Sequence, residues 1–207
     1  MDKPVIDELE VRSVTSPAAG SIFVDDNSKK LIHAIIYFLT NTKHCFKTKL
    51  FKLLYLLDFY HFKQTARSVT GLDYYAWEKG PVPKELFHEF ANPQPDIAKS
   101  IYIPKSKDSD AIFRMKPKCN FDPRLFTNRE LNLMEQLAYI FKEAKADDMI
   151  EVTHLPNKPW DRTIKNKGEY AKIDYLLALD NTKESLSPEE ATERINDLDQ
   201  IAAVFGK

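Results

Sequence analysis

Residues 46–63, FKTKLFKLLYLLDFYHFK, constrain the fold of this chain more than any other stretch. Leu50, Leu53, Leu54 and Leu57 form one apolar stripe at helical spacing, and Phe51, Tyr55, Phe59 and Phe62 form a second. A helix apolar on two sides belongs inside a fold, so it is predicted to be central and largely buried, with a narrow polar face around Thr48 and Lys52. Asp58 falls within the apolar arc. A lone buried carboxylate is unstable without donors, and Arg67, backbone amides of residues 71–75 or a tyrosine hydroxyl could supply them. Asp58 is therefore expected to tie this helix to the aromatic segment that follows.

The flanking sequence reads as further helices with little sheet. Leu31, Ile32, Ile35, Ile36 and Leu39 predict a helix over 28–41, capped by Asp26, Asn27 or Ser28. Residues 1–27 lack a helical period and read as an irregular arm, with extended pieces at Val11–Val14 and Ile22–Val24. Leu72 to Glu78 is aromatic and extended, Gly80 permits a sharp turn, and Pro83 suits the first position of a helix over 83–91. Two short strands are expected near Ile101–Ile103 and Ala111–Lys116, within a connector over 96–124. Thr127 and Glu130 form a capping box for a helix reaching about Ala146. Residues 153–180 read as a looped piece followed by a short apolar element. Ser187-Pro188-Glu189-Glu190 opens an acidic final helix with Ile195, Leu198, Ile201 and Phe205 on one side. The expectation is a mainly α, compact helical domain with a minor two- or three-stranded β element. Its parts are an N-terminal arm (1–28), the domain (29–182) and an acidic helix packed on it (183–207).

Several function classes find no support. With only 5 glycines, neither a P-loop nor a dinucleotide fingerprint is present. The five histidines are scattered, and Cys45 and Cys119 have no metal-ligand spacing, so no metal site and no cofactor is implied. Cys45 lies beside His44 and a basic run that could lower its pKa, but no nucleophile elbow accompanies it, and the chain reads as a non-enzyme. No apolar run approaches the ~20 residues that span a bilayer. The start, MDKPVIDELEVRS, holds no apolar block of signal-peptide type, which places the chain in the cytoplasm. Charge is uneven: residues 29–67 carry eight basic residues and one acid, and residues 180–207 carry seven acids and three bases. Such a separation either steers a charged partner or reflects two faces that neutralise each other. Because the aromatics follow the core stripes rather than the lysines, the basic region argues only weakly for nucleic acid.

The segments KLLYLLDFYHF and TGLDYYAWEKGPVPKELF, taken together, resemble the Panacea domain, also called the SocA-like antitoxin domain. The matching positions are Lys52 to Tyr55, Asp58, Thr70 and Gly71, Tyr75, Ala76, Gly80, Pro81 and Val82. A looser match lies downstream at His154, Pro159-Trp160 and Ile173-Asp174, so that the resemblance covers roughly residues 30–180. It implies a mainly helical fold and the antitoxin half of a bacterial or phage toxin–antitoxin pair, neutralising its cognate protein toxin by direct binding and occlusion. Two rivals remain: a proteolytic adaptor that delivers the toxin to a protease, and a nucleic-acid-binding repressor. Self-association stays open, and no membrane contact is implied. Anchors for a partner are sought on and after the Gly-Pro-Val turn, at Trp77, Lys79, Lys84 and Phe87, and at Trp160, while Asp58, Tyr75, Gly80, Pro81 and Val82 form the supporting motif.

Overall fold

The computed structural model describes residues 21–104 and 114–205. It is mainly α with minor β. Helix α1 (Ser21–Asn41) and helix α2 (Lys47–Thr65) pack together, and α2 is the hub of the core. Leu50, Leu53, Leu54 and Leu57 are all fully buried, as are their aromatic neighbours to within a few per cent. The hairpin of β1 (Tyr75–Trp77) and β2 (Gly80–Val82) lies against α2, with Trp77 opposite Gly80. Residues 170–173 run along the other edge of β1: Ala76 N donates to Ala171 O (2.9 Å) and Ile173 N to Tyr74 O (2.8 Å). Next come α3 (Lys84–Glu89), α4 (Pro95–Ser100) and a second two-stranded sheet, β3 (Ile101–Tyr102) with β4 (Lys116–Pro117). Helix α5 (Asn128–Ile140) packs on α1 and α2, α6 (Ala146–Thr153) packs on α2, and α7 (Pro159–Lys167) packs on β1. Helix α8 (Pro188–Phe205) follows a short 3-10 turn at Tyr175–Ala178. No helix among the described residues is long and apolar enough to cross a membrane.

The structure departs from the sequence reading at several points. Helix α1 is already under way at Ser21, the first described residue, so the expected caps Asp26 to Ser28 and the extended piece at Ile22–Val24 lie inside a helix. No proline or glycine interrupts residues 21–41, and a helix already nucleated extends at little cost. The earlier extended piece, Val11–Val14, and residues 111–113 of the second expected strand lie outside the described residues. Pro83 is the N-cap of α3 rather than its first helical residue. Helix α5 ends at Ile140, six residues before the expected Ala146; α4 and α7 occupy stretches read as connector or loop, and α6 fills residues given no element.

The narrow polar face of α2 is absent at Lys52, which is 1% exposed, and Lys49 is fully buried as well. Lys49 Nζ donates to the carbonyls of Lys43 (2.6 Å), Phe141 (2.6 Å) and Ala144 (2.7 Å), two of which belong to the unpaired end of α5 and the turn behind it. Its ammonium thus caps the negative end of that helix. Elsewhere in the basic region, Lys30 pairs with Glu130 (2.6 Å), Lys43 with Glu143 (2.8 Å) and Lys63 with Asp180 (2.8 Å). Three of the eight basic residues read from 29–67 are therefore paired with acids, and Lys49 and Lys52 point their ammonium groups into the fold. Lys49→Met is expected to lower stability by about 2 kcal/mol through the carbonyls it strands. Denaturant titration checks this, and an unchanged midpoint would mean the α5 end is satisfied without the ammonium.

Candidate partner-binding face

Asp58 is completely buried in α2 and is met by donors from one short segment. Val69 N and Thr70 N both donate to its Oδ1 (2.8 Å each), while Thr70 Oγ1 and the Tyr74 hydroxyl (2.7 Å) donate to Oδ2. Arg67 is exposed and is not among these donors, and the amides lie just upstream of the 71–75 stretch. Burial raises the Asp58 carboxyl to about 6, against the pull of its hydrogen bonds. The knot aligns the chain entering β1. Tyr74 sits edge-on to Tyr55 (5.5 Å) and Phe59 (5.9 Å), and Tyr175 stacks on Phe59 at 4.4 Å while its hydroxyl donates to Leu72 O (2.7 Å).

One and a half turns earlier on α2, Lys52 reaches under the hairpin. Its Nζ donates to Pro81 O at 2.9 Å, and no carboxylate faces it among the described residues. Burial pushes its ammonium down to about 7. Gly80, directly above, has φ +94, and a Cβ there would lie 2.8 Å from Lys52 Nζ and 2.9 Å from both Lys52 Cε and Thr153 Oγ1. Glycine is needed at this position for its backbone and for its bareness. Pro81 and Val82 are buried, and Tyr75, half-buried, faces Lys84 Nζ at 5.7 Å from its ring.

The hairpin is held from the other side by the end of α6 and the start of α7. Trp160 Nε1 donates to Trp77 O (3.0 Å), and the indole stacks on His154, centroids 3.7 Å apart and 3° from parallel. Burial, then the nearby Lys52, lower the pKa of His154, and its buried Nε2 has no hydrogen-bond partner among the described residues. His154 carried only the looser downstream resemblance, and nothing local in the sequence placed it against Trp160 or near Lys52.

The expected anchors divide into two groups. Trp77, Phe87 and Trp160 come together: Trp77 and Phe87 pack at 5.0 Å, and both are half-buried. Tyr170, 64% exposed, lies edge-on to Trp77 at 6.0 Å, and Lys47 Nζ sits 3.6 Å from the centre of the Phe87 ring, a cation–π contact. Neither Tyr170 nor Lys47 was singled out from sequence as an anchor. Lys79 stands exposed at the hairpin tip and Lys84 exposed at the start of α3, three residues before Phe87. The indole N–H of Trp160 is used inside the fold, while the ring is half-buried like those of Trp77 and Phe87.

Nucleophile and metal chemistry gain nothing here. The Cys45 thiol is pushed up to about 11 by burial, the reverse of the activation its basic neighbours suggested. Cys119 is exposed. Among the described residues no group of three or more His, Cys, Asp or Glu could hold a metal ion.

The family described as antitoxin SocA-like, Panacea domain, matches residues 50–161, just over half of the chain. The matched span runs from the first turn of α2 to Asp161, and so contains Lys52, Asp58, the hairpin and the His154–Trp160 stack. Ile173-Asp174 lies beyond it. No curated protein and no solved structure matches the chain.

Proposed function

The chain belongs to the antitoxin SocA-like, Panacea domain family, and from this premise we propose that it neutralises a cognate protein toxin by direct contact, covering the toxin's working surface and performing no catalysis. The observation that carries this reading is the half-exposed aromatic and cationic face formed by Trp77, Phe87, Tyr170 and Lys47. Tight interfaces are anchored by a few aromatic and basic residues set on rigid support. Here the support is the hairpin, fixed below by the Lys52–Pro81 hydrogen bond and behind by Trp160. Lys79 and Lys84 then contribute at the rim, where exposed charges affect association rate more than affinity. Toxin and antitoxin meet in the cytoplasm on this reading.

Co-expression with the product of the adjacent gene tests it. Growth arrest by that product alone, relieved by this chain, is the expected result, and a harmless neighbour removes the basis of the proposal. Trp77→Ala should weaken binding of the toxin by about 2 kcal/mol, roughly 30-fold. The same affinity in Trp77→Ala as in wild type would move the contact surface away from the hairpin.

A further inference from the structure

The C-terminal end of α2, the start of α5 and the outer half of α8 enclose an open cleft of about 920 Å3. Val69, Leu198 and Ile201 give it an apolar lining, and Arg67, Arg129 and Arg194 stand around it. All three arginines are exposed, and none has a carboxylate partner among the described residues. Glu130 also borders the cleft but is engaged by Lys30 (2.6 Å) and by the Thr127 amide (2.8 Å), which leaves Asp197 as the other acid on its wall. Helix α8 is anchored near its start, through Ala191 against Phe62 and Ala66. Farther along, Ile201 is 54% and Phe205 73% exposed, and Leu198, Ile201 and Phe205 fall on one helical stripe. The cleft therefore offers apolar surface and uncompensated positive charge side by side. Helix α2 separates it from the Trp77 face, since Lys47 opens that helix and Val69 lies just past its end, roughly 28 Å away along the axis.

We propose that this cleft binds an acidic, amphipathic helical segment of the partner toxin, its apolar side chains against Leu198 and Ile201 and its carboxylates on Arg67, Arg129 and Arg194. The antitoxin reading supplies the source of the segment, whereas the chemistry of the segment rests on the cleft. Arginine pairs with carboxylates through two parallel hydrogen bonds, and the apolar stripe matches a helix laid in a groove. A phosphate backbone fits less well, because it has nothing to place against Leu198 and Ile201, whereas an amphipathic helix can turn its acids to the arginines and away from Asp197.

The test selects short displayed peptides on the full chain and measures each selected peptide against Arg129→Glu/Arg194→Glu and against Ile201→Asp. Selected peptides should carry acids between apolar residues at helical spacing, and both variants should weaken them by about tenfold or more. Peptides that are neutral or basic, or that bind Arg129→Glu/Arg194→Glu as tightly as wild type, overturn the proposal. So does duplex DNA bound by the wild type and lost in that variant, or a synthetic peptide of residues 1–20 that outcompetes every selected sequence. A second arm uses the adjacent gene product. If it binds wild type and Arg129→Glu/Arg194→Glu alike, the inference fails and the antitoxin reading stands. If it does not bind wild type, the antitoxin reading falls and takes the toxin with it as the source, while the peptide arm alone decides the chemistry of the cleft.

Discussion

Asp58→Ala should destabilise the protein by on the order of 3 kcal/mol, since it strands two buried backbone amides together with two hydroxyls. Asp58→Asn should lose less. An amide oxygen can still accept from Val69 N and Thr70 N, which converge on one carboxylate oxygen, and the hydroxyls of Thr70 and Tyr74 can turn to accept from the new NH2. The two variants also separate the hydrogen bonds from the charge. Burial raises the carboxyl from its ordinary 3.8 to about 6, so the folded state holds the proton more tightly than the unfolded chain. The resulting stabilisation is complete below pH 3.8 and is lost as pH rises through 6. Within that window each pH unit is worth up to ~1.4 kcal/mol, and the amide of Asp58→Asn, which does not titrate, has no such slope. Denaturant titrations of wild type and Asp58→Asn at steps between pH 4 and about 7 should show the wild-type advantage shrinking. A constant difference would mean the carboxylate is effectively solvated, and Asp58→Ala as stable as wild type would remove its role in placing the hairpin.

The parts of this arrangement that were legible in the sequence are those whose signals are local and redundant. Eight large apolar residues in two stripes leave α2 no alternative to burial, and a Thr127–Glu130 capping box marks a helix start wherever it occurs. Short helices gave less. Helices α4, α6 and α7 have six to nine residues each, too few to show a period or to be stable without tertiary support. Two of them begin with proline, at Pro95 and Pro159, and there proline marks a start where it can equally be read as a stop. The long lysines were the larger error. Spacing places Lys52 on a polar strip with Thr48, but a four-carbon stem can pass through a core, as those of Lys49 and Lys52 do, and deliver its ammonium to carbonyls that only the folded chain brings near. For the same reason the brace from Trp160 to Trp77 O joins residues 83 positions apart and leaves no trace in either local sequence. Family resemblance named both tryptophan segments, but only the folded chain shows that one indole donates to the backbone of the other.

Gly80→Ala should be the most damaging single methyl group that can be added to the hairpin, lowering stability by roughly 3–5 kcal/mol and binding of the toxin with it. A side chain at φ +94 is strained in any surroundings, and here the new Cβ would lie within 3 Å of Lys52 Nζ, Lys52 Cε and Thr153 Oγ1. Lys52 cannot swing into water, being 1% exposed and tied to Pro81 O, so the hairpin must lift or the lysine must break its bond. Lifting the hairpin moves Trp77 relative to Phe87 and Trp160, which links the stability loss to the proposed toxin-binding surface. Shortening the obstruction gives a control. In Lys52→Ala two of the three close approaches disappear and only that of Thr153 Oγ1 remains, so Gly80→Ala should be less harmful in that background, and the two effects should fail to add by on the order of 1 kcal/mol or more. Lys52 also leaves a pH signature opposite in sign to that of Asp58. Its ammonium, lowered from 10.5 to about 7, binds a proton less tightly in the folded state than in the unfolded chain. That contribution is complete above pH 10.5 and is lost as pH falls through 7, so wild type should gain on Lys52→Met as pH rises between these limits. Thermal melts of the four proteins in the Gly80–Lys52 cycle, with toxin affinity measured on those that fold, decide the matter. Additive losses would show that the turn and the lysine beneath it do not touch in solution, and Gly80→Ala with wild-type affinity would separate the toxin surface from the hairpin altogether.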